Sequence, residues 1–487
     1  MTTSSDRVLV AGQTCWQVAP ADRFSYIIDG ADYLRDVKAA MLRAQHRIIL
    51  VGWDFDAGTT FEPGKPTMPG PNQLGAFLYW LLWKRAGLEI YVLKSNLRLL
   101  PVFDDIWYGL TPVSILNRVS SRRIRFAVDG AHPTGAVHHQ KIIAIDDVVA
   151  FCGGIDLTIG RWDTSEHLHD HPLRTDYGPR HEVAAVVDGA AARVLSEVAR
   201  DRWRGATGHK LEQLEAANSP WPWGLEPHLR NVEVGIARTI PAVPDNDDVR
   251  EVEALNLAAI GAARHTIYLE NQYLASRTLV EALILRLEEP DGPEIVIILP
   301  RSSESRLEIE SMDSARSLLI GELWAADEHG RLGIYWPVTE RGTPVYIHSK
   351  IFVIDDRLLR IGSSNLNNRS MGFDSECDVA LEADTDSSDN TIRDLITSFR
   401  QRLISEHLGV STDEFDAAVW ERGSFLQAVE ALRGEGRTIK PMTADVVADE
   451  AGPLAENDLM DPDHVPTSLA ASARRILYEL AAWQARR

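Results

Sequence analysis

Two stretches of the chain pair an imidazole with an ammonium group at the same spacing. The first reads His138-His139-Gln140-Lys141-Ile142-Ile143-Ala144-Ile145-Asp146-Asp147, and the second His348-Ser349-Lys350-Ile351-Phe352-Val353-Ile354-Asp355-Asp356. In each, a His and a Lys stand two apart, four mostly apolar residues follow, and an Asp pair closes the run. Side chains two apart on an extended chain share a face, so His139 and Lys141 point the same way, as do His348 and Lys350. An imidazole with an unperturbed pKa of about 6.5 serves as nucleophile when neutral and as proton donor when charged. A lysine holds negative charge as it builds on oxygen. Two such pairs supply both ends of a displacement reaction.

The likeness continues past the pairs. Each Asp pair reads as a hairpin turn, because a second apolar run follows, Val148 to Cys152 in one copy and Leu358 to Ile361 in the other. Gly153-Gly154-Ile155-Asp156 and Gly362-Ser363-Ser364-Asn365 come next, each at the same distance beyond its Asp, and Arg180-His181-Glu182-Val183 later answers Asp374-Ser375-Glu376-Cys377. A single His-x-Lys is noise, whereas two copies with matching tails are not. Both copies match the His-x-Lys-x4-Asp-x6-Gly-Gly/Ser-x-Asn pattern, so the chain resembles a two-motif member of the phospholipase D superfamily. The second copy fits in full; the first departs at Asp156, where the general pattern has Asn. The wording from Gly153 to Leu157 and on to Arg161-Trp162-Asp163 is similar to the eukaryotic-type phospholipases D, as is Tyr268-Leu269-Glu270-Asn271-Gln272-Tyr273. The resemblance covers most of the chain up to about residue 405.

What the resemblance implies is a phosphodiesterase that works through a phosphohistidine, most simply a phospholipase D acting on a phospholipid and able to pass the phosphatidyl group to an alcohol. A phosphodiester resists attack because its charged oxygens repel nucleophiles and its alkoxide leaving group needs a proton. His139 and His348 answer both needs, and the resemblance makes His139 the nucleophile and His348 the acid. Lys141 and Lys350 would hold the phosphoryl oxygens. Asp146 and Asp355 complete the motif and are counted with its catalytic residues, although their strand parity opposite to the histidines suits a hairpin turn or a lysine partner. Glu182 and Glu376, at matching positions, are candidates for fixing the second nitrogen of each imidazole. Gly153, Gly154, Gly362 and Ser363 read as small residues that let backbone approach the phosphate, Asn365 as an amide donor to it, and Asp156 as a partner of Lys141 or of substrate hydroxyls. The chemistry requires no metal and no cofactor. His167, His169 and His171 with Asp170 read as a solvated loop in preference to an ion site, and His138 as a neighbour on the opposite face from His139.

The elements that must hold these residues alternate between helix and strand. A helical pattern from Tyr33 to Gln45 runs into a buried strand Ile48 to Trp53, and the same order recurs from Leu255 to Ala263 and Ile267 to Asn271, with His46 and His265 at the junctions. Helix Gln73 to Lys84 and strand Glu89 to Leu93 are answered by helix Leu279 to Leu287 and strand Ile295 to Leu299. The motif histidines lie 209 residues apart and the junction histidines 219, which fits duplication with small insertions. The expected fold class is α/β: two similar sandwich domains, each a mixed sheet flanked by helices, related by a pseudo-two-fold. Residues 1–216 form the first, 217–411 the second, and 412–487 a helical and irregular extension. A helix from Ala190 to Trp203 closes the first half, and Pro220 to Gly224 is the linker. Thr467 to Arg487 reads as an amphipathic helix docked on the second domain, with a membrane-surface helix as the alternative.

Composition bounds the partners. The 487 residues are 45% hydrophobic, enough for sizeable cores, and the formal charge is −21. A strongly acidic surface works against every non-specific contact with a polyanion, which disfavours nucleic acid and anionic lipid but not zwitterionic lipid. The longest apolar run, Ala76 to Trp83, is far short of the ~20 residues of a transmembrane segment, and the first residues lack the layout of a signal peptide. Cys15, Cys152 and Cys377 are an odd number without metal-ligand spacing, which predicts no disulfide framework and a cytoplasmic protein, peripheral on a membrane when it meets its phospholipid. Rival readings are a phosphatidyltransferase of the cardiolipin synthase type, whose usual membrane spans are not found, then a nuclease, then a lipid-binding pseudoenzyme, which the intact His and Lys pairs argue against.

Overall fold

The computed structural model describes residues 7–96, 106–108, 111–215, 218–243, 247–305, 309–384, 387–448 and 461–462. The first half runs β1 (Gln17–Ile28), α1 (Gly30–Met41), β2 (Arg47–Gly52), α2 (Leu74–Lys84), β3 (Glu89–Ser95), a small hairpin of β4 (Ile106–Tyr108) and β5 (Thr111–Pro112), α3 (Val113–Val119), β6 (Ile124–Asp129), β7 (Ile142–Ile145), β8 (Val149–Gly153), β9 (Arg180–His181), β10 (Val183–Asp188) and α4 (Gly189–Thr207). The second runs β11 (Leu229–Ile240), β12 (Val249–Arg250), α5 (Glu251–Ala262), β13 (Thr266–Glu270), α6 (Arg277–Glu288), β14 (Glu294–Ile298), α7 (Ser314–Ala326), β15 (Leu332–Val338), β16 (Tyr346–Ile347), β17 (Ile351–Ile354), β18 (Leu358–Gly362), β19 (Glu376–Glu382) and α8 (Thr391–Leu408). α9 (Thr412–Arg422), α10 (Phe425–Leu432), β20 (Thr438–Pro441) and α11 (Ala444–Ala448) follow.

The main sheet is continuous across both halves. Its strand order is β20-β15-β14-β13-β17-β18-β19-β11-β1-β10-β8-β7-β2-β3-β6, with β12 paired to β11. Outward from the β1–β11 seam the halves repeat each other, β10, β8, β7, β2, β3, β6 on one side and β19, β18, β17, β13, β14, β15 on the other. In each, a motif hairpin is antiparallel and a three-strand parallel run follows, as helical crossovers require. Strand alternation sends Ile49, Val51 and Val187 to one face together with Val353, Leu359 and Val379 of the second half. There they share one core with Leu195 and Val198 of α4 and Phe399 and Leu403 of α8. On the other face each half keeps its own core, α1 and α2 over Ile48, Leu50, Ile90 and Val92, and α5, α6 and α7 over Ile267, Leu269, Ile295 and Ile297.

The helix–strand alternation lies within a few residues of its sequence expectation. The residues after 411 begin with two helices, as expected, whose Phe415, Phe425 and Val429 pack into the shared core; the strand β20, which adds antiparallel beyond β15 and extends the second half's sheet, was not expected. The helix expected over Thr467 to Arg487 lies outside the described residues. Among the described residues no helix is long and apolar enough to cross a membrane.

Asp146 and Asp355, grouped with the catalytic residues by their motif, stand at the far end of β7 and β17. Roughly 16 Å of extended chain separates each from its lysine. Both sit in the left-handed region, at φ 55° and 52°, where Asp is tolerated and a tight hairpin closes. The Asp146 carboxylate accepts from the amides of Gln45, His46 and Arg47 at 2.7–2.8 Å, and that of Asp355 from Arg264, His265 and Thr266 at 2.7–2.9 Å. Each therefore clamps the turn from the first helix of its half into the strand beside the motif. Asp146→Ala or Asp355→Ala should strand those amides and lower stability by about 2–4 kcal/mol, read as a shift in urea midpoint, while turnover per folded molecule falls by less than roughly tenfold.

Candidate active site

Two short pairings between the halves place the chemistry. β9 and β16 pair in parallel, Tyr346 opposite Arg180 and Ile347 opposite His181, so the next residues, Glu182 and His348, emerge side by side. The His348 amide donates to the His181 carbonyl at 2.9 Å. On the other side His138 bridges to Ser375, and the His139 amide donates to the Ser375 carbonyl at 2.9 Å, which brings His139 to Glu376. His348 Nδ1 lies 2.9 Å from Glu182 Oε2, and His139 Nδ1 lies 3.1 Å from both oxygens of Glu376. Each imidazole is held by the glutamate of the opposite half. With Nδ1–H donated to the carboxylate, Nε2 is the nitrogen left for a substrate.

The lysines are anchored by their own motifs. Lys141 Nζ donates to the His139 carbonyl at 3.1 Å and lies 3.0 Å from Asp156 Oδ2; Lys350 Nζ donates to the His348 carbonyl at 2.7 Å and to Gln272 Oε1 at 3.1 Å. Asp156 thus partners Lys141, while the matching place in the second half is filled by an uncharged amide. Gln272, Arg161 and Ser370 were not singled out from sequence. Arg161 Nη1 lies 2.9 Å from Glu182 Oε1, whereas Glu376 accepts from the hydroxyls of Ser363 at 2.5 Å and Ser370 at 2.6 Å. Gln272 and Arg161 both stand inside the two eukaryotic-type wordings, which was the available signal. Ser370 lies beyond the motif with no signal of its own.

The small residues serve packing. A Cβ on Gly153 would stand 2.6 Å from the Cα of Ala184, one on Gly362 would collide with the Asp378 carboxylate, and one on Gly154 would meet the His348 carbonyl oxygen at 3.0 Å. Ser363 supports Glu376 and accepts from the Cys377 amide at 3.0 Å. At the three glycines the absence of a side chain permits close contact between neighbouring strands and between the halves. Asn365 is buried, its backbone N–H donating to Ser370 Oγ at 3.0 Å and its side-chain Oδ1 without a hydrogen bond. His138 lies on the opposite face, its Nδ1 2.8 Å from Ser375 Oγ and its Nε2 3.4 Å from Asp129. Burial, with Arg202 beside it, holds its pKa down at about 3, so it is a neutral brace for the bridge at Ser375.

Electrostatics separate the two imidazole–carboxylate pairs. Burial pushes His139 well below its ordinary range, and Lys141 and Lys350 push the same way; His348 is lowered by burial, then by Lys350, Arg161 and Arg180. Both shifts disfavour the charged imidazole in the free protein, in contrast to the unperturbed values expected from sequence. Burial also drives Lys350 down against the pull of Glu182. It raises Glu376 to about 8, over the opposing hydrogen bonds from Ser363 and Ser370. Burial raises Asp156 too, but Lys141, Arg161 and His139 outweigh it and hold that carboxyl low. An incoming phosphodiester anion would offset the lysine charges and let one imidazole take a proton.

His167, expected on a solvated loop with His169 and His171, is buried, while the other two are partly exposed. All three cysteines are free. Gly154→Ala should wedge the two halves apart at His348 and Lys350. Its kcat/KM should drop by about 10²-fold with the melting temperature nearly kept, because the added methyl meets the carbonyl that aims His348.

Comparison with known proteins bears on the family and the fold. Residues 257–402 match the family described as "Cardiolipin synthase, PLD-like domain". Phospholipase D A of Dictyostelium discoideum is 26% identical over 352 residues, which cover 56% of this chain and 27% of that protein. Phospholipase D alpha 4 of Arabidopsis thaliana is 25% identical over 531 residues, 86% of this chain and 68% of that protein. Among solved structures, the phosphatidylserine synthase of Haemophilus influenzae Rd KW20 superposes with a TM-score of 0.52 at 12% identity, covering 80% of this chain and 88% of that one. The chain spans between 27% and 50% of the first two curated relatives it matches. The resemblance to the phospholipase D superfamily is thereby shown, and with it the α/β fold.

Proposed function

We propose that the chain is a phospholipase D-type phosphodiesterase with one active site built by both halves. The observation that carries this reading is the crossing of the two His–Glu pairs beside two buried lysines. The neutral imidazole of one histidine attacks phosphorus through Nε2, and the P–O bond to the head group breaks. The leaving alkoxide takes its proton from the other histidine, charged once the anionic substrate is bound. That second imidazole then removes a proton from water, which attacks the phosphohistidine, releases phosphatidate and restores the first histidine. An alcohol in place of water gives exchange, and the phosphatidyltransferase reading of the family model rests on that arm. Lys141 and Lys350 stabilise the charge on the phosphoryl oxygens. The test uses phosphatidylcholine micelles with and without a primary alcohol, and DNA at physiological salt. Phosphatidylcholine should be cleaved far faster than DNA, and His139→Ala and His348→Ala should each lose roughly 10³-fold or more, since residues acting as a unit are non-additive. Half the activity surviving in each variant would mean two sites.

By resemblance His139 attacks and His348 protonates. A second reading reverses them, because Glu182 is held by the Arg161 cation while Glu376 meets only hydroxyls and keeps a proton up to about 8. The sign of one pH limb separates the two. Below about 8 the His139–Glu376 pair carries a proton that blocks attack by His139, so with His139 as nucleophile kcat/KM rises as pH passes upward through 8. With His139 as acid the same proton is needed, and kcat/KM falls there. The limb should vanish in Glu376→Gln in either case.

A further inference from the structure

Behind the catalytic pairs, four side chains from four separate segments converge on one buried point. Asp29 precedes α1, His167 lies between β8 and β9, His181 ends β9, and Glu406 sits near the end of α8. One donor atom from each lies within 4.8 Å of all the others. His181 Nδ1 is 3.1 Å from Asp29 Oδ1 and 3.1 Å from Glu406 Oε1; His167 Nε2 is 3.2 Å from Glu406 Oε1 and 3.8 Å from Asp29 Oδ2. The edge of a tetrahedron around a zinc ion with bonds near 2.0–2.1 Å is about 3.3 Å, which matches these spacings.

The remaining ring nitrogens point to the same ligand. His167 Nδ1 lies 3.0 Å from Asp163 Oδ2, and that carboxylate also takes the Arg174 guanidinium and the Arg180 amide. His181 Nε2 lies 3.1 Å from Glu270 Oε2, and Glu270 is filled by the Tyr268 hydroxyl at 2.6 Å, the Ser349 hydroxyl at 2.6 Å and His407 Nε2 at 3.0 Å. Each imidazole thus spends one nitrogen on a carboxylate, the outer arrangement that metal-bound histidines carry. Its second nitrogen is turned toward Asp29 and Glu406. Asp29 Oδ2 is buried without a hydrogen-bond partner, and His181 Nδ1 faces two carboxylate oxygens at 3.1 Å without an aligned hydrogen bond to either; both are aimed into the cluster.

We propose that Asp29, His167, His181 and Glu406 bind a divalent transition cation, zinc by ligand type and geometry. Two neutral imidazoles and two carboxylates balance a dication. The ion joins three first-half segments to α8 of the second half, directly behind the site: the Glu182 amide faces Asp29 Oδ1 at 3.3 Å, and Ser349, between His348 and Lys350, donates to the carboxylate that holds His181. Its role is to pin the seam, with no part in the chemical step.

Elemental analysis of the full chain, purified without a histidine tag and dialysed against metal-free buffer, should find roughly one zinc per chain. His167→Gln and Glu406→Gln should each keep less than about a tenth of it, whereas His169→Gln on the same loop keeps it. Because a buried site loads during folding, wild-type chain refolded from guanidinium with cobalt(II) should show the intense visible bands of four-coordinate cobalt, and zinc in the refolding buffer should raise its melting temperature. Wild-type protein that retains no zinc and takes up neither ion on refolding overturns the proposal, and the cluster is then a pair of imidazolium ions among carboxylates. Equal zinc in wild type and Glu406→Gln overturns it as well.

Discussion

Two residues of parallel pairing, Tyr346–Ile347 on Arg180–His181, and one bridge, His138 on Ser375, decide where both imidazoles stand. Their few hydrogen bonds contribute about 1 kcal/mol each, too little to hold two domains in register. Stiffness comes from the twelve-residue strands β1 and β11, which zip the halves into one sheet, and from the core that both halves share on one face. Since each histidine belongs to one half and its glutamate to the other, any opening of the seam breaks both pairs at once. A catalytic group displaced by even 1 Å loses much of its advantage. The strand pairing that looks like scaffold is therefore part of the chemistry's geometry.

Duplication supplies two copies of a site, but a displacement reaction needs two different roles. The side chains that contact the two His–Glu pairs and the two lysines differ between the halves. Lys141 has the Asp156 carboxylate beside it where Lys350 has the uncharged Gln272 amide, and Glu182 has the Arg161 guanidinium where Glu376 has two hydroxyls and is raised by burial to about 8. Environments that push two like groups apart are how one site holds both an acid and a base. On the proposed function, the symmetric motif residues give reach and type, and the residues around them assign the parts.

Much of this was legible in the residues. The helix-to-strand junctions at His46 and His265 follow from periodicity, and the strand parity of Asp146 and Asp355 already separated them from the histidines. Glu182 and Glu376 were found by aligning the halves, but their crossing was not, because it depends on contacts between segments 166 and 237 residues apart. β1 went unread because Pro20 and its polar neighbours interrupt the alternation, which tertiary pairing with β11 overrides. The close strand contacts of Gly153 and Gly362 have no sequence signal, because they depend on pairing with β10 and β19. His167 was read with its sequence neighbours, although burial sets it apart from His169 and His171.

The charge of the chain and the charge of the site act over different distances. At physiological salt, exposed charges are screened beyond about 8 Å, so the −21 net charge governs molecules that must lie along the surface. A duplex needs many such contacts at once and meets the unfavourable field at each. A lone phosphodiester needs only to reach Lys141 and Lys350, which are buried and little screened. Desolvation makes those two cations costly in the free protein, and burial already drives Lys350 toward its neutral form. On the proposed function, an anion entering the site offsets that cost, so the binding of one phosphate is coupled to charging of Lys350 and of the acid imidazole. On the same proposal, that coupling favours a substrate presenting one ester, on a surface without strong negative charge, over a polymer of them.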